Sequence, residues 1–233
     1  MTTRFERQRQ VRRWHRRIAL LCAAQLLAWT VSGVFFAFVD IEGVRGSDHR
    51  RAPQASPLPE ITFPALSDPV SSLKVLWRLP GEAIVSVETE KGAQWYSSDG
   101  NALGPLSASE ALVMGTLGTD LAPNQAEWVE TAEAGAEYRG APLPLWRVYH
   151  SDHPSTVAYL HGTSGQVLAI RNTSWRWWDF LWSLHIMDYD TRDEIGTWLL
   201  KLFSLLAVAT AVAGLALYFV SPQRALRRGQ GTQ

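Results

Sequence analysis

Two long apolar blocks bracket a more polar middle segment of the chain. Residues 18–39 carry no formal charge, and the one charged side chain in residues 195–220 is Lys201. A helix of about 20 residues rises about 30 Å, the thickness of a hydrocarbon core. The pattern predicts two transmembrane helices. A cleaved signal peptide is disfavoured for the first block, because the apolar part of such a peptide is usually only about 7–15 residues long.

Charge is distributed unevenly between these regions. Seven arginines precede residue 18 and three follow residue 222, whereas residues 40–194 contain 21 acidic and 11 basic residues. Basic residues stay on the cytoplasmic side of a membrane, so both termini are predicted to be cytoplasmic and residues of about 40–195 to lie on the other side. The acidic middle would repel phosphates and disfavours nucleic-acid binding. The single Cys22 has no intrachain partner for a disulfide.

The middle segment predicts an α+β domain with an antiparallel sheet. Four prolines among charges predict an unpacked linker at its start, and the Asp99-Gly100 pair predicts a hairpin turn. Ser107 and Glu110 have the spacing of a capping box, which begins a helix. The pattern of a helix followed by strands occurs once or twice, with a helical pattern at 69–77, strands at 83–90, 93–103, 126–133 and 145–151, and a pair of strands in 156–171 closed by a turn from Gly162 to Gly165.

These patterns together define the predicted organisation of the chain. It comprises a basic cytoplasmic N-terminus (1–17), a transmembrane helix (18–39), a proline-rich linker (40–65), the α+β domain (66–174), an interfacial aromatic helix (175–194), a second transmembrane helix (195–220) and a cytoplasmic tail (221–233).

Each predicted transmembrane helix carries a face suited to contact with protein. Polar or small residues line one face of the first helix, and small residues in the second recur at four-residue spacing, which lets helix backbones approach closely. The alternative for the second helix is alanine-rich filler. The partner would be a second copy or another membrane protein, beside the lipid bilayer itself. The residues concerned are Cys22, Gln25, Trp29, Ser32, Gly33 and Phe36, with His15 one turn outside, and the pairs Ala207/Ala211, Ala209/Ala213 and Thr210/Gly214.

The chain lacks a nucleophile elbow, a phosphate-binding glycine loop, an HExxH motif and a CxxC motif, so no catalytic residue is predicted. His150, His153 and His161 could bind a transition metal from adjacent strands, or they are surface histidines. The acidic residues Asp188, Asp190, Asp193 and Glu194 could bind a cation, or they form a solvated entry to the second span.

Several motifs resemble those of a known family. The helix opening Ser107-x-x-Glu110-Ala111 and the final hairpin with Tyr159, Gly165 and Val167-Leu168 resemble the PepSY domain, a small α+β module. The flanks resemble the PepSY-associated transmembrane family over nearly the whole chain. These flanking motifs are Arg13-Trp14-His15-Arg16, Gln25, Trp29 and Ser32-Gly33 in the first span, and Trp182-x-x-His185-Ile186-Met187-Asp188-Tyr189 before the second.

The resemblance implies a bacterial inner-membrane protein with a periplasmic domain. Larger members of the family carry two such halves in one chain and are linked to haem-dependent reduction of iron complexes. In this chain His15 and His185 lie near opposite membrane faces and cannot ligate one iron. Each would pair with its mate in a homodimer, as axial ligands of b-type haem in a ferric-reductase-like component, with Asp188 a candidate acceptor for the second nitrogen of His185.

Other interpretations of the same residues stay open. His15 could be a basic interfacial anchor among arginines, and His185 could be a hydrogen-bonding residue of the aromatic belt. The chain would then be a non-enzymatic, membrane-anchored PepSY module that binds or regulates a periplasmic partner such as a peptidase or an assembly factor.

Overall fold

The computed structural model describes residues 4–52, 56–63 and 65–220, and the chain divides into two compact units. One unit, called the membrane unit below, contains Met1–Phe38 and Phe180–Gln233. The other, called the α+β unit, contains Val39–Asp179. The elements in chain order are α1 (Arg4–Phe38), α2 (Ile41–Arg45), β1 (Val70–Trp77), β2 (Ala83–Thr89), β3 (Gly92–Ser97), α3 (Ala108–Gly118), β4 (Gln125–Val129), β5 (Leu145–Tyr149), β6 (Val157–His161), β7 (Val167–Arg171), α4 (Thr173–Ile186) and α5 (Trp198–Val220).

The membrane unit is built on α1 and α5, each of which is long and apolar enough to cross a membrane. The apolar stretches are Arg16–Phe38 and Trp198–Leu215. Large apolar side chains on both helices stand outside the unit, such as Leu20 at 72% and Leu205 at 70% exposure. Core helices of soluble proteins bury such side chains, so this exposure supports contact with lipid. The prediction of two apolar spanning helices agrees with the structure.

Most of the face of α1 that was predicted to contact protein does so in the structure. Cys22 and Ser32 are buried, and Gln25, Gly33 and Phe36 are half-buried, whereas Trp29 of the same predicted face is 45% exposed. The 100° rotation per residue of an α-helix places these positions on one stripe.

The small residues of α5 contribute to this contact at a different spacing from the predicted one. Ala207, Thr210 and Ala213 are half-buried, whereas Ala211 and Gly214 are exposed. Each predicted pair therefore has only one member on the packed face. The packed face of α5 also includes the half-buried Phe203 and Leu206, so its positions combine spacings of three and four residues, as one face of an α-helix does.

The α+β unit contains two antiparallel sheets, which confirms the α+β class. The first has the order β1-β2-β3 and the second the order β4-β5-β6-β7. Helix α3 packs on the second sheet, with Ala111 and Met114 against Trp146, Val148 and other buried residues of the strands.

Val70–Trp77 form strand β1, and the prediction of a helix over residues 69–77 is wrong. Apolar residues at Val70, Leu73 and Trp77 fit a helical spacing, and Leu73, Val75 and Trp77 also fit the alternation of a strand. Pairing with β2, for example Val75 opposite Val85, decides between the two. The helix-then-strands pattern is therefore present once in the described chain, as α3 followed by β4–β7.

The capping box and the hairpin turn are both confirmed. The Ser107 N–H donates to Glu110 Oε2 at 2.7 Å, and the Glu110 N–H donates to Ser107 Oγ at 3.3 Å. The hydrogen bonds from the Ser107 N–H and hydroxyl hold the pKa of Glu110 below its usual value. Gly100 has a φ of 81° in the turn after β3, a conformation that favours glycine.

Part of the predicted linker is packed on the α+β unit. Asp40 caps α2, and its carboxylate accepts from the N–H groups of Glu42 and Gly43. Val44 is buried, and the Asn172 amide donates to Gly43 O at 2.9 Å. The expectation of an unpacked segment 40–65 therefore does not hold for its first residues. The proline count misleads because the prolines lie only after this packed part.

Charged and aromatic contacts fix the start of α4 to the loop between β4 and β5 and to the end of β7. Asp179 is buried and forms an ion pair with Arg139. Arg176 Nε donates to Glu137 at 2.5 Å. The Arg171 guanidinium lies 4.4 Å over the Trp175 ring. Opposite charges that are removed from water together form strong hydrogen bonds, which hold the first turns of α4 in place.

Candidate functional site

His185, at the end of α4, is surrounded by aromatic rings within the membrane unit. Trp29 stacks on its imidazole at 4.9 Å between ring centroids and 19° between planes. The Trp182 ring is nearly parallel to the imidazole, with 6.2 Å between centroids, and Phe36 meets the ring edge-on at 5.4 Å. A Cβ placed on Gly33 would lie 3.8 Å from His185 Cε1. These contacts allow the imidazole little freedom to rotate.

A hydroxyl group of α1 fixes one ring nitrogen of His185. Ser32 Oγ lies 2.8 Å from His185 Nδ1 and also donates to Trp29 O at 2.9 Å. A hydroxyl carries a single proton, so when that proton goes to the Trp29 carbonyl, the oxygen accepts from an Nδ1–H. This tautomer leaves the lone pair of the neutral ring on Nε2, the form that ligates metals.

His15 belongs to the same helix as Ser32 but lies far from His185. The backbone of α1 includes His15, and its side chain is outside the described part of the structure. Seventeen residues of helix separate His15 from Ser32, which corresponds to about 25 Å. The two histidines are thus kept apart, in agreement with the argument that they cannot ligate one iron.

Asp188 organises the loop after α4 and does not hold His185. Its carboxylate accepts from the Thr191 hydroxyl and from the N–H groups of Asp190, Thr191, Asp193 and Glu194. Burial alone would raise the pKa of Asp188, but these hydrogen bonds outweigh it and hold the pKa well below the usual range. The acceptor expected from Asp188 is supplied to His185 by Ser32 instead. A cation would have to displace the donors that already occupy the carboxylate.

The three histidines proposed as metal ligands are not brought to one place. His150 and His153 lie 6.0 Å apart, ring to ring, in the turn after β5. His161 is paired with Leu145 at the other end of the β5–β6 hairpin, about 13 Å away along the strand. Its Nδ1 accepts from the N–H of Ser164 at 3.1 Å, and burial lowers its pKa. In the described residues no group of three or more His, Cys, Asp or Glu side chains could hold a metal ion.

A small cavity of about 170 Å³, called the Gln25 cavity here, lies between the helices of the membrane unit. Among the described residues, Gln25 Nε2 is buried without a hydrogen-bond partner. The cavity is lined by Cys22, Gln25, Leu26, Trp29, Met187, Leu200, Phe203, Ser204 and Ala207.

A larger groove of about 530 Å³ lies in the α+β unit and is called the Arg78 groove here. Sequence reasoning did not find it. The available signal was a single arginine directly between an apolar strand and the Pro80-Gly81 turn. Its described walls are Arg50, Arg51 and Ser56, the run from Val75 to Gly81, Met114, Leu117 and Gly118 of α3, and Gly165, Gln166 and Val167.

The chain matches no protein-family model, no curated protein and no solved structure. The resemblance to the PepSY families therefore stays a prediction that rests on the motifs themselves. The class that the fold defines is an α+β domain joined to two helices long enough to span a membrane.

Proposed function

We propose that this protein is a two-pass inner-membrane electron conduit that binds b-type haem as a homodimer and serves the reduction of periplasmic iron or other metal complexes. The observation that supports it best is the setting of His185. This imidazole packs nearly parallel to the rings of Trp29 and Trp182, and its Nδ1 is hydrogen-bonded to Ser32. An axial ligand needs this kind of support, because a fixed ring directs Nε2 along one line.

The homodimer follows from the number of histidines that one copy can place at each membrane face. His185 and His15 are separated by most of the length of the first span, so neither can be the second ligand of the other. Haem held by two histidines would need a second imidazole at each membrane face. A mate of His185 from a second copy would supply the second ligand at one face, and a mate of His15 would do so at the other.

The residues of this chain would position the haem ligand and orient the protein in the membrane. Bound haem would supply one-electron transfer at its iron. The rings of Trp29, Trp182 and Phe36 pack against the imidazole and restrict its rotation. The arginines of the N-terminal region orient the chain with both termini in the cytoplasm, so the α+β unit would lie in the periplasm where ferric complexes are found.

The test is an absorption spectrum of the full chain purified in detergent from haem-replete cells. We expect the Soret and α bands of low-spin bis-histidine haem and two redox transitions. His15→Ala should remove one transition and His185→Ala the other, whereas His153→Ala should change neither. Because His185 also packs the helices, His185→Gly with added imidazole distinguishes ligation from folding: the lost transition should return.

Two outcomes would contradict the conduit. One is protein that purifies as a monodisperse species without a Soret band. The other is a parental spectrum in both His15→Ala and His185→Ala.

A second function is favoured by the Arg78 groove. The α+β unit would be a membrane-anchored module that binds a periplasmic partner, with the spans as tethers. The groove volume lies within the range of about 300–1,000 Å³ of ligand sites, and its walls combine apolar side chains with arginines. The spectrum separates the two functions, because an anchored module needs no chromophore.

A further inference from the structure

The Arg78 groove runs along the edge of the first sheet. In the described chain, β1 is hydrogen-bonded to β2 on one side and is an edge strand on the other. Val75, Leu76 and Trp77, the last three residues of β1, line the groove together with the turn that follows them, from Arg78 to Gly81. Successive side chains of a strand point to opposite faces, so three consecutive strand residues can line one groove only where the strand presents its edge. The groove therefore has main-chain donors and acceptors in its wall.

Arg78 is a buried cation whose hydrogen bonding is incomplete. Its side chain is 7% exposed, and its Nε has no hydrogen-bond partner among the described residues. Nη1 reaches Gly104 O only at 3.5 Å, and the nearest carboxylates, of Glu82 and Glu110, lie at 3.9 and 3.8 Å. Because Ser107 binds the Glu110 carboxylate in the capping box, that carboxylate is shared between two partners. A buried guanidinium in this state favours an added carboxylate, which can accept two parallel hydrogen bonds.

Two further arginines carry positive charge at the groove. Arg50 Nη1 donates to Val167 O at 2.7 Å, and Arg51 Nη1 donates to Thr116 O at 2.8 Å. These bonds fix both guanidinium groups at the wall. The described residues that line the groove include no carboxylate, and the carboxylates of Glu82 and Glu110 near Arg78 balance only part of the positive charge of the three arginines. The α+β unit as a whole is acidic, so this concentration of positive charge is local and marks the groove for an anion.

The apolar residues of the wall indicate the chemistry of the ligand apart from its anionic end. Leu79, Met114, Leu117 and Val167 face the groove from the strand end, from α3 and from the β6–β7 hairpin. A volume of about 530 Å³ holds a few residues and not a long segment. The ligand is therefore short, extended, apolar in its side chains and anionic at one end.

We propose that the Arg78 groove binds the C-terminal end of an extended peptide, which pairs with the free edge of β1 and places its terminal carboxylate on Arg78. Strand addition supplies main-chain hydrogen bonds, and the pockets between strand and helix supply contacts for apolar side chains. This inference rests on the second proposed function, the anchored binding module, and it is independent of haem.

The test is a calorimetric titration of the full chain in detergent micelles with a defined peptide. The probe is acetyl-alanine-valine-threonine-valine-leucine with a free carboxylate. The comparison probes are the same sequence as its C-terminal amide and the same sequence with N-methylated backbone amides. We expect micromolar binding of the acid, and at least tenfold weaker binding of the amide and of the N-methylated peptide.

Variants test the wall of the groove. Arg78→Gln should weaken binding of the acid at least tenfold and leave the amide unaffected. Because Arg78 is buried and its loss could unfold the domain, Arg51→Gln is a second variant at an exposed position and should weaken binding severalfold. Arg45→Gln removes the same charge from an exposed side chain outside the groove and is the matched control, with no change expected.

Several results would overturn the inference. They are no binding of the acid at millimolar concentration, equal affinity of acid and amide, or no effect of N-methylation. If decanoate, which has no peptide backbone, binds as tightly as the peptide, the groove recognises a fatty acid and does not pair with a strand. If the protein binds the peptide but shows no Soret band, only the proposal of a haem electron conduit is contradicted. If it shows a haem spectrum but binds no peptide, the proposal of peptide binding in the Arg78 groove is contradicted.

Discussion

Ser32 and His185 lie 153 positions apart in the chain and meet through one hydrogen bond of 2.8 Å. Ser32→Ala should leave Nδ1 of His185 without this partner at a half-buried position. We expect it to lower the free energy of unfolding by about 1 kcal/mol, as for a typical buried hydrogen bond. Titration of the detergent-solubilised chain with sodium dodecyl sulfate measures the effect.

Thr30→Ala is the matched control for this prediction. Thr30 lies on the same helix, and its hydroxyl donates only within that helix, to Leu26 O at 2.8 Å. We expect little change from its removal. Equal losses in the two variants would mean that Ser32 matters only to α1 itself and does not hold His185.

Asp188 gives a pH-dependent prediction. Its pKa is lowered in the folded chain, and an unfolded aspartate has a pKa of about 3.9. The contribution of the Asp188 carboxylate to the free energy of unfolding is therefore full above about pH 5. It is lost as the pH falls toward the pKa of the folded state. Asp188→Asn should be less stable by about 1–3 kcal/mol at pH 7, since the loop donors lose a charged acceptor. Below about pH 4 the difference from the parent should shrink.

The exposed Asp190→Asn serves as a control for Asp188→Asn, and unfolding midpoints from pH 3 to 8 measure both. If the unfolding midpoints of Asp188→Asn and the parent differed by the same amount over that whole range, an ionised Asp188 would not be what stabilises the loop.

The docking of α2 depends on the absence of a side chain at Gly46. Gly46 has a φ of 69°, and an added Cβ would lie 2.7 Å from Ile170 Cγ2. Gly140 has a φ of 76° with open space around it, so Gly140→Ala carries the backbone strain without the clash. We expect Gly46→Ala to lose more stability than Gly140→Ala and to expose Arg45 to trypsin. Denaturant unfolding and timed proteolysis measure the two effects, and equal stabilities would show that α2 is loosely held.

Elements were predictable from the sequence where a local signal was strong. The capping box at Ser107, the turn at Gly100 and the hairpin closed by Gly165 all depend on neighbouring residues, and the structure has them. Strand β1 was not predictable, because Val70, Leu73 and Trp77 satisfy two periodicities and only the pairing with β2 decides. The packing of α2 likewise depends on Ile170, more than 120 residues later.

The candidate site was predictable to a similar degree. The motif around His185 and the stripe on α1 that contains Ser32 could each be recognised in the sequence, since each is a local pattern. The contact between Ser32 and His185 could not be predicted, because it depends on how α4 packs on α1. Arg78 was overlooked because one arginine in a sequence carries no sign of burial, and its edge position follows only from the strand order.

The orientation of the whole chain is a prediction from the arginine asymmetry. With both termini cytoplasmic, alkaline phosphatase fused after Gly140 should be active and a fusion at Gln233 inactive. Green fluorescent protein at the same positions should give the opposite result. Phosphatase activity at Gln233 with none at Gly140 would reverse the topology and remove the periplasmic placement of the groove.

The α+β unit should fold without the spans, and its limits should follow the packing. A fragment of residues 39–179 keeps α2 on β7 and the Arg139–Asp179 ion pair, whereas a fragment of residues 66–171 lacks both. We expect dispersed amide spectra from the longer fragment and a lower unfolding midpoint for the shorter one. A longer fragment without dispersed resonances would show that the unit needs the membrane helices.

The contact between Gly46 and Ile170 has a consequence for the order of events during synthesis. A ribosome adds about 5–20 residues per second, so Ile170 is made roughly 6–25 s after Gly46. Until then α2 has no β7 to pack on, and neither the second sheet nor the start of α4 is complete. The newly made segment after the first span therefore has to remain unaggregated while most of the domain is still being translated. The charged and proline-rich composition of this segment, which predicted a linker, keeps it soluble while the rest of the domain is translated.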